Sequence, residues 1–358
     1  MMDLDDLAAL MRIDRSDMGG HLASFPLQCM EGVRLGREAN LRIAREGLSQ
    51  IVVAGMGGSA IGGDLLRNYL ATDLRLPLWV NRNYHLPPFV SRGTLAFITS
   101  YSGNTEETLS SFRDAEEAGC QVVVITGGGR LGEEVKARGL PLISIPMGLP
   151  PRAALGYLFF PLLIVLEGAG LISPQREALQ ETEGLLAELG QAYGPRASTS
   201  ENPAKQLALR LEGRLPFICG SQDHTEAVAL RWKGQLNENS KHIAVYNCFP
   251  ELNHNEIMGW EGAGEIMKSA LFLFLRDAED HPRVVRRMEI TAQIATQRGG
   301  EVISIASQGR SWLARLFSLL YLGDFVSYYL ALAKGMDPTP VASIDSLKKA
   351  LDTRLDAR

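Results

Sequence analysis

Two glycine- and hydroxyl-rich segments contain the residues best suited to binding an anion. The segment GMGGSAIGGD covers residues 55–64, and SYSGNTEET covers residues 100–108. Each follows a short apolar run and precedes a helical pattern, which is typical of a strand–loop–helix turn. Glycine lets the backbone approach a ligand closely, and the N-terminus of the next helix presents free N–H groups. The two segments therefore predict a phosphate site.

Hydroxyl groups beside the glycines would complete this site. Three hydroxyl side chains occur between residues 100 and 105, whereas capping the following helix requires only one. A matching Gly-Ser loop follows another predicted strand, which favours a bound ligand over simple capping. The candidate phosphate-binding residues are Gly57, Gly58, Ser59, Ser100, Ser102 and Thr105.

Three classes of phosphate ligand compete for the first loop. Gly55, Gly57 and Ala60 fit the loose dinucleotide pattern, but the second strand ends in WVNRNY, without an acid to hold a ribose. No Gly-Lys-Ser/Thr sequence follows the glycines, so the P-loop of nucleoside triphosphate sites does not fit. A small phosphate needs only hydroxyl and N–H donors, and the pattern favours this third class.

The elements that must position these segments alternate between strands and helices, which predicts the α/β class with parallel sheets. In the first half, apolar runs predict strands at residues 50–55, 76–82, 94–103, 121–129 and 140–146. After the small polar stretch 196–202 the alternation restarts, with strands predicted at residues 215–221, 242–247, 269–277 and 301–307. We therefore expect two domains, at residues 1–195 and 196–358.

Composition excludes several kinds of partner. The chain has 358 residues and a formal net charge of −5, so no basic excess predicts binding to nucleic acid. Its four cysteines form no CxxC pair, which argues against a disulfide framework or zinc cluster and favours a cytoplasmic location. The apolar run 153–172 contains Gly156, Pro161 and Glu167, so we expect a buried helix there and no membrane partner.

The two loop segments resemble the sugar isomerase (SIS) domain, a flavodoxin-like fold that binds phosphosugars. Four further motifs, in the expected order along the chain, resemble the bifunctional phosphoglucose/phosphomannose isomerases, in which two SIS domains form one chain. These motifs are PRAALGY (151–157), RWKGQLNENSK (231–241), FPELNHNEIMGW (249–260) and DPTPVASIDSLKK (337–349). The resemblance implies interconversion of glucose 6-phosphate or mannose 6-phosphate with fructose 6-phosphate, no cofactor, and a homodimer with shared active sites.

The resemblance also implies catalytic roles. Moving a proton between two carbons through an enediol requires a base, and the family pattern places this base at Glu238. Ring opening suits a group that titrates near neutrality, and the pattern places it at His254, reaching the partner subunit's site. Arg152 would stabilise the enediolate charge. His254 and Glu256 could also be read as metal ligands, but two ligands without a third are a weak metal pattern, so we expect no metal.

Two residues near the C-terminus would act on specificity and charge. The resemblance implies that the small Thr339 lets the enediol present either face, whereas isomerases restricted to glucose carry a larger side chain there. Lys348 would add positive charge, although Lys349 beside it could do so instead. A phosphoglucose isomerase without mannose activity, and a non-catalytic phosphosugar-binding regulator, stay as alternatives. The second half has no equivalent of the segment 100–108, so we expect it to lend catalytic residues to the phosphate site of the first.

Overall fold

The computed structural model describes residues 2–352 of the chain. Residue 1, where the first predicted domain begins, and residues 353–358, where the second ends, lie outside the described residues. The first half contains five parallel strands in the spatial order β2-β1-β3-β4-β5. The strands are β1 (Gln50–Ala54), β2 (Leu78–Asn81), β3 (Thr94–Ser100), β4 (Gln121–Thr126) and β5 (Leu142–Ser144).

The strand order reverses between β1 and β3, whose residues pair from Gln50 with Thr94 to Ala54 with Ile98. Ligands of parallel sheets bind at such a reversal, outside the carboxyl ends of the strands. The segments 55–64 and 100–108 follow these two strands directly. We call the loops after β1 and β3 the first switch point.

Helices flank the sheet, and two of them form a tightly packed pair beside it. The helices of the first half are α1 (Leu7–Ile13), α2 (Met18–Ala23), α3 (Phe25–Glu38), α4 (Gly58–Tyr69), α5 (Glu106–Glu117), α6 (Gly129–Ala137), α7 (Leu155–Gly168) and α8 (Arg176–Tyr193). Helix α7 covers most of the apolar run 153–172 and is buried almost throughout, as predicted. Helix α3 packs against it, and a Cβ at Gly32 would lie only 2.4 Å from the Gly156 carbonyl oxygen.

The second half repeats the arrangement with four parallel strands in the order β7-β6-β8-β9. The strands are β6 (Leu215–Ser221), β7 (Val245–Phe249), β8 (Ala270–Arg276) and β9 (Glu301–Ala306). The helices are α9 (Pro203–Leu211), α10 (Glu226–Ser240), α11 (Glu256–Gly259), α12 (Glu265–Ser269), α13 (Pro282–Gln297), α14 (Trp312–Ala333) and α15 (Ala342–Asp352). The order reverses between β6 and β8, and we call the loops after them the second switch point.

Strand β7 is displaced from its predicted position, because it begins at Val245 rather than at residue 242. Lys241 adopts a left-handed conformation with φ of 48° and ends α10. The His242 ring then lies 2.8 Å from the Arg214 carbonyl oxygen, so these residues complete the turn out of the helix before the strand can start. The prediction of two parallel α/β sheets is confirmed.

Helix α14 is long and apolar enough to cross a membrane, but all of its most apolar window is buried inside the protein. It packs against α8, α9 and α10 and joins the two halves. A second contact between the halves brings α10 beside α4: the Asn68 side-chain oxygen accepts a 2.9 Å bond from the Ala227 N–H, and Arg67 pairs with Glu226 at 2.6 Å. Through these contacts, a helix of the second half lies against the helix that leaves the first switch point.

Candidate active site

The loop after β3 holds a pair of hydroxyl groups at the first switch point. Ser100 Oγ lies 3.1 Å from Thr105 Oγ1 and accepts a 3.1 Å bond from the Gly103 N–H. Thr105 occupies the N-cap position of α5, yet its side chain makes no capping hydrogen bond. Ser102 accepts only the Asn104 N–H, at 3.3 Å. Ser100 and Thr105 are therefore paired with each other rather than used to cap the helix, whereas Ser102 bonds its own loop.

The loop after β1 lies against this hydroxyl cluster. Ser59 Oγ accepts a 3.2 Å hydrogen bond from the Tyr101 N–H, which ties the two loops together. Gly57 has a φ of 49° and Gly58 passes so close to residue 151 that a Cβ would lie 2.7 Å from its carbonyl oxygen. A side chain at Gly58 would therefore push away the turn that carries Arg152. The predicted phosphate-binding residues thus share one edge of the first sheet.

Arg152 lies in a 3₁₀ turn, Pro151–Ala153, which directly precedes α7. Its side chain is 5% exposed and its guanidinium is hydrogen-bonded on three sides. Nε donates to the Asn239 side-chain oxygen at 2.5 Å, and Nη2 donates to the carbonyl oxygens of Pro338 and Thr339 at 2.8 and 2.9 Å. The third nitrogen, Nη1, remains for Glu238.

Glu238 and Arg152 meet at a cavity between the two halves. Glu238 lies in the last turn of α10, and its Oε2 is 3.5 Å from Arg152 Nη1. The Glu238 side chain is 34% exposed, so it is accessible to a ligand while its partner is buried. Both residues line the cavity together with Gly57 and Gly58 of the first loop. The structure thus brings the predicted base and the predicted cation to the glycine loop.

Electrostatics at this cavity depend on a second arginine. Burial lowers the pKa of Arg152, the carboxylate of Glu238 opposes that effect, and the positive charge of Arg231 adds to it. Burial and the nearby Arg152 likewise lower the pKa of Lys241. Arg152 and Arg231 therefore place two guanidinium groups in the cavity wall beside the carboxylate of Glu238.

Thr339 reaches the same place through its backbone. Its carbonyl oxygen is held by Arg152, while its N–H donates to the Asp337 carboxylate at 3.0 Å. The Thr339 hydroxyl oxygen is buried and has no hydrogen-bond partner among the described residues. Thr339 does not itself line the cavity, so its hydroxyl lies behind the cavity wall that Arg152 forms.

Two predicted site residues lie apart from this cavity in the single chain. His254 follows the 3₁₀ turn Glu251–Asn253 and is exposed, and none of the described side chains pairs with its ring. Lys348 lies on α15, whose side chains are exposed along its described length. One chain therefore does not assemble His254 or Lys348 with Glu238.

Sequence reasoning missed several side chains that line the cavity. They are Arg82, Arg231, Lys233 and Gln235. Arg231 and Gln235 precede Glu238 by seven and three residues on one helix, and this spacing places all three on one face. That signal was present in the sequence. Arg82 follows β2 directly and pairs with Asp64 of α4, a contact that the sequence does not indicate.

Potential metal ligands are not clustered in the described part of the chain. Between residues 2 and 352, no group of three or more His, Cys, Asp or Glu side chains could hold a metal ion. Glu256, the residue considered with His254 as a ligand, binds the Asn247 side-chain amide instead. These contacts give Glu256 a structural partner of its own.

Comparison with known proteins gives relatives along nearly the whole chain. The family model "Bacterial phospho-glucose isomerase C-terminal SIS domain" matches residues 200–351. A bifunctional phosphoglucose/phosphomannose isomerase of Caldicellulosiruptor bescii is 45% identical over 92% of this chain and 97% of its own. One of the same description from Aquifex aeolicus is 37% identical, over 84% and 90%. A hypothetical protein from Thermus thermophilus shares the fold, with a TM-score of 0.74 and 16% identity over 98% and 94% of the two chains.

Proposed function

Because the chain belongs to the family of bifunctional phosphoglucose/phosphomannose isomerases, we propose that its cavity interconverts glucose 6-phosphate or mannose 6-phosphate with fructose 6-phosphate through a metal-free enediol. The enzyme is an aldose–ketose isomerase. The observation that supports this site is the approach of Glu238 to Arg152, at 3.5 Å, beside the glycine loop.

The phosphate is bound at the first switch point. Ser59, Ser100, Ser102 and Thr105 supply hydroxyl donors, and the N-termini of α4 and α5 supply backbone N–H groups. Substrate bound in this way extends its reacting carbons past Gly57 and Gly58 toward α10.

Glu238 carries the proton in the isomerisation step. It removes the proton from C2 of the open-chain aldose and delivers it to C1, while the proton of the C2 hydroxyl passes to the former aldehyde oxygen. The aldehyde carbon thereby becomes a hydroxyl-bearing carbon and C2 becomes the ketone. Negative charge develops on the enediolate oxygens between the two transfers. The buried guanidinium of Arg152, fixed by three acceptors, is preorganised to stabilise that charge.

We also propose that two chains form a homodimer with shared sites. His254 is exposed and would open the sugar ring in the partner's cavity. The exposed apolar side chains of α15, namely Ile344, Leu347 and Leu351, lie on the helix that carries Lys348 and would be covered in the dimer. The enzyme is expected to work in the cytoplasm, where its sugar phosphate substrates occur.

Mixing two inactive variants tests the shared site. Glu238→Gln and His254→Ala would each be inactive alone. If each site takes its carboxylate from one chain and its histidine from the other, random mixed dimers regain about a quarter of wild-type activity, because half the dimers are mixed and each has one intact site. A mixture that stays inactive, although mixed dimers are recovered, contradicts sharing.

The central experiment measures fructose 6-phosphate formation separately from glucose 6-phosphate and mannose 6-phosphate, each with and without EDTA. We expect turnover of both sugars at rates that EDTA does not change. Loss of activity in EDTA, restored by a divalent metal, contradicts the metal-free mechanism. Turnover of glucose 6-phosphate alone contradicts dual specificity, and binding without turnover of either sugar supports the regulator alternative.

A further inference from the structure

Helix α10 presents a continuous face to the cavity, and Arg231 lies on it. Arg231, Gln235 and Glu238 line the cavity and are spaced so that they share one side of the helix. Gly234 belongs to the same face, and a Cβ built there would meet no atom within 4 Å. The face therefore borders the cavity, with an arginine at one end and the base at the other.

A buried carboxylate on the apolar helix α14 holds Arg231. Asp324 accepts from Arg231 Nε at 3.0 Å and from Arg231 Nη2 at 2.7 Å, and it also accepts from the Gln235 side-chain amide at 2.8 Å. The two charged side chains are only 4% and 3% exposed. Apolar residues of similar size would stabilise the fold about as well as such a buried pair, so its presence beside the cavity suggests a role in positioning.

The guanidinium of Arg231 keeps donors available for a ligand. Nη2 also donates to the Arg152 carbonyl oxygen at 3.0 Å, so Nε and Nη2 are fully used. No described residue accepts a hydrogen bond from Nη1, whose two N–H groups are left over. The bond to the Arg152 backbone and the shared cavity wall place the two cations next to each other.

We propose that Arg231 is a second catalytic cation, which donates from Nη1 to an enediolate oxygen, and that Asp324 is its positioning residue. This inference rests on the proposed function. The bidentate grip of Asp324 fixes the plane of the Arg231 guanidinium, and the bond to the Arg152 backbone sets its distance from the first cation. Negative charge that develops on adjacent oxygens of the substrate then meets two prearranged donors rather than one.

Two ligands separate charge stabilisation from general binding. One is 5-phosphoarabinonohydroxamate, an analogue whose anionic hydroxamate resembles the enediolate; the other is sorbitol 6-phosphate, which is uncharged at C1 and C2. In the double variant Arg231→Met/Asp324→Leu, which removes both partners of the pair, we expect affinity for the hydroxamate to fall by about 100-fold, as for loss of an oxyanion donor. Affinity for sorbitol 6-phosphate should change little, and kcat should fall in parallel with hydroxamate affinity.

The matched control removes another buried arginine–aspartate pair, which also includes one residue of α14. Arg315 of α14 is as buried as Arg231 and binds Asp277 at 2.9 Å, but neither lines the cavity. Arg315→Met/Asp277→Asn should leave the ratio of the two affinities at its wild-type value. An unchanged ratio in the Arg231 variant, or an equal change in the control, overturns the inference.

A milder variant keeps the proposal testable if the double variant does not fold. Asp324→Asn retains Arg231 but weakens the hydrogen bonds that hold its guanidinium. We expect the affinity for the hydroxamate, relative to that for sorbitol 6-phosphate, to fall by about 10-fold. Circular dichroism and the unfolding midpoint verify that each variant is folded. Wild-type protein without turnover counts against the proposed function, whereas active wild-type protein with an unaltered ratio in Asp324→Asn counts against this inference alone.

Discussion

The two switch points occupy equivalent places in two sheets that share the order of four strands, yet their side chains have opposite chemistry. At the first, the loops after β1 and β3 present glycines and the hydroxyl groups of Ser59, Ser100 and Thr105. At the second, the loops after β6 and β8 contain the buried carboxylates Asp277 and Asp280. A phosphate approaching the second switch point would meet negative charge.

The donors at the second switch point are already used within the chain. Asp277 accepts from His224 Nε2 at 2.9 Å, from Ser307 Oγ at 2.6 Å and from Arg315 Nε at 2.9 Å, while Ser221 Oγ donates to Asp280 at 2.5 Å. The His224 ring also stacks on Trp312, with centroids 3.9 Å apart. Asp277 thus takes the place of an external anion.

This difference explains how one fold can serve two purposes in one chain. Where hydroxyl and N–H groups lack internal anions, the switch point can bind a phosphate. Where an aspartate accepts hydrogen bonds from those groups, the switch point is closed within the chain. The helix next to it can then contribute a side chain to another site. Helix α10 leaves the second switch point and carries Glu238 to the first.

The largest effect should come from Glu238→Gln, which tests whether chemistry and phosphate binding belong to different halves. The amide cannot accept the C2 proton, so we expect kcat to fall by about 1,000-fold or more, within the usual range for a general base. Binding of sorbitol 6-phosphate, measured by calorimetry, should remain near wild type because the first switch point is intact. Unchanged turnover would remove Glu238 as the base.

The second prediction concerns Asp277→Asn, which removes the negative charge of this internal carboxylate. Burial raises the pKa of Asp277, but the bonds from His224, Ser307 and Arg315 outweigh it and hold the pKa well below its usual range. Removing the charge leaves Arg315 without its buried partner, so the free energy of unfolding at pH 7 should fall by about 3 kcal/mol. Urea unfolding measures this loss, and KM for both sugars should not change.

The pH dependence gives the sign of the Asp277 effect. A carboxylate whose folded pKa is depressed stabilises the fold above the unfolded pKa of about 4, and that contribution is lost as the pH falls toward the folded value. The difference in unfolding free energy between wild type and Asp277→Asn should therefore be constant from pH 7 to 5 and shrink at pH 3. A constant difference at pH 3, or a raised KM, would contradict the internal-anion account.

Much of this comparison could be predicted from sequence, because strand, loop and cap chemistry is local. The residues of each loop, around Ser59 and around Ser102, are neighbours in sequence, and the parallel strands bring the two loops to one edge of the sheet. The hydrogen bond from Arg152 to the Thr339 carbonyl oxygen joins residues 187 positions apart, and it depends on how α14 returns the chain to the cavity. Asp324 was missed because it lies in an apolar helix, where only the packed structure shows its partner.

The third prediction weakens the first switch point directly. Ser59→Ala combined with Ser102→Ala removes two of its hydroxyl donors, and a hydrogen bond to a charged group contributes about 1.5–3 kcal/mol. We expect KM to rise by at least about 10-fold and by the same factor for both 6-phosphosugars. The matching change at the other sheet, Ser221→Ala, should leave KM unchanged. A loss selective for one sugar would place these serines away from the phosphate.

The smallest effect should come from Thr339→Gln, which tests what the second half contributes to specificity at the first switch point. Arg152 fixes the Thr339 backbone at 2.9 Å, so a longer side chain cannot withdraw and would restrict rotation of the enediol about C2–C3. We expect turnover of mannose 6-phosphate to fall about fivefold more than that of glucose 6-phosphate, a difference of about 1 kcal/mol. Thr339→Ser keeps a small hydroxyl and should preserve the wild-type ratio. Equal losses for both sugars in Thr339→Gln would mean that this residue supports the site without choosing between its substrates.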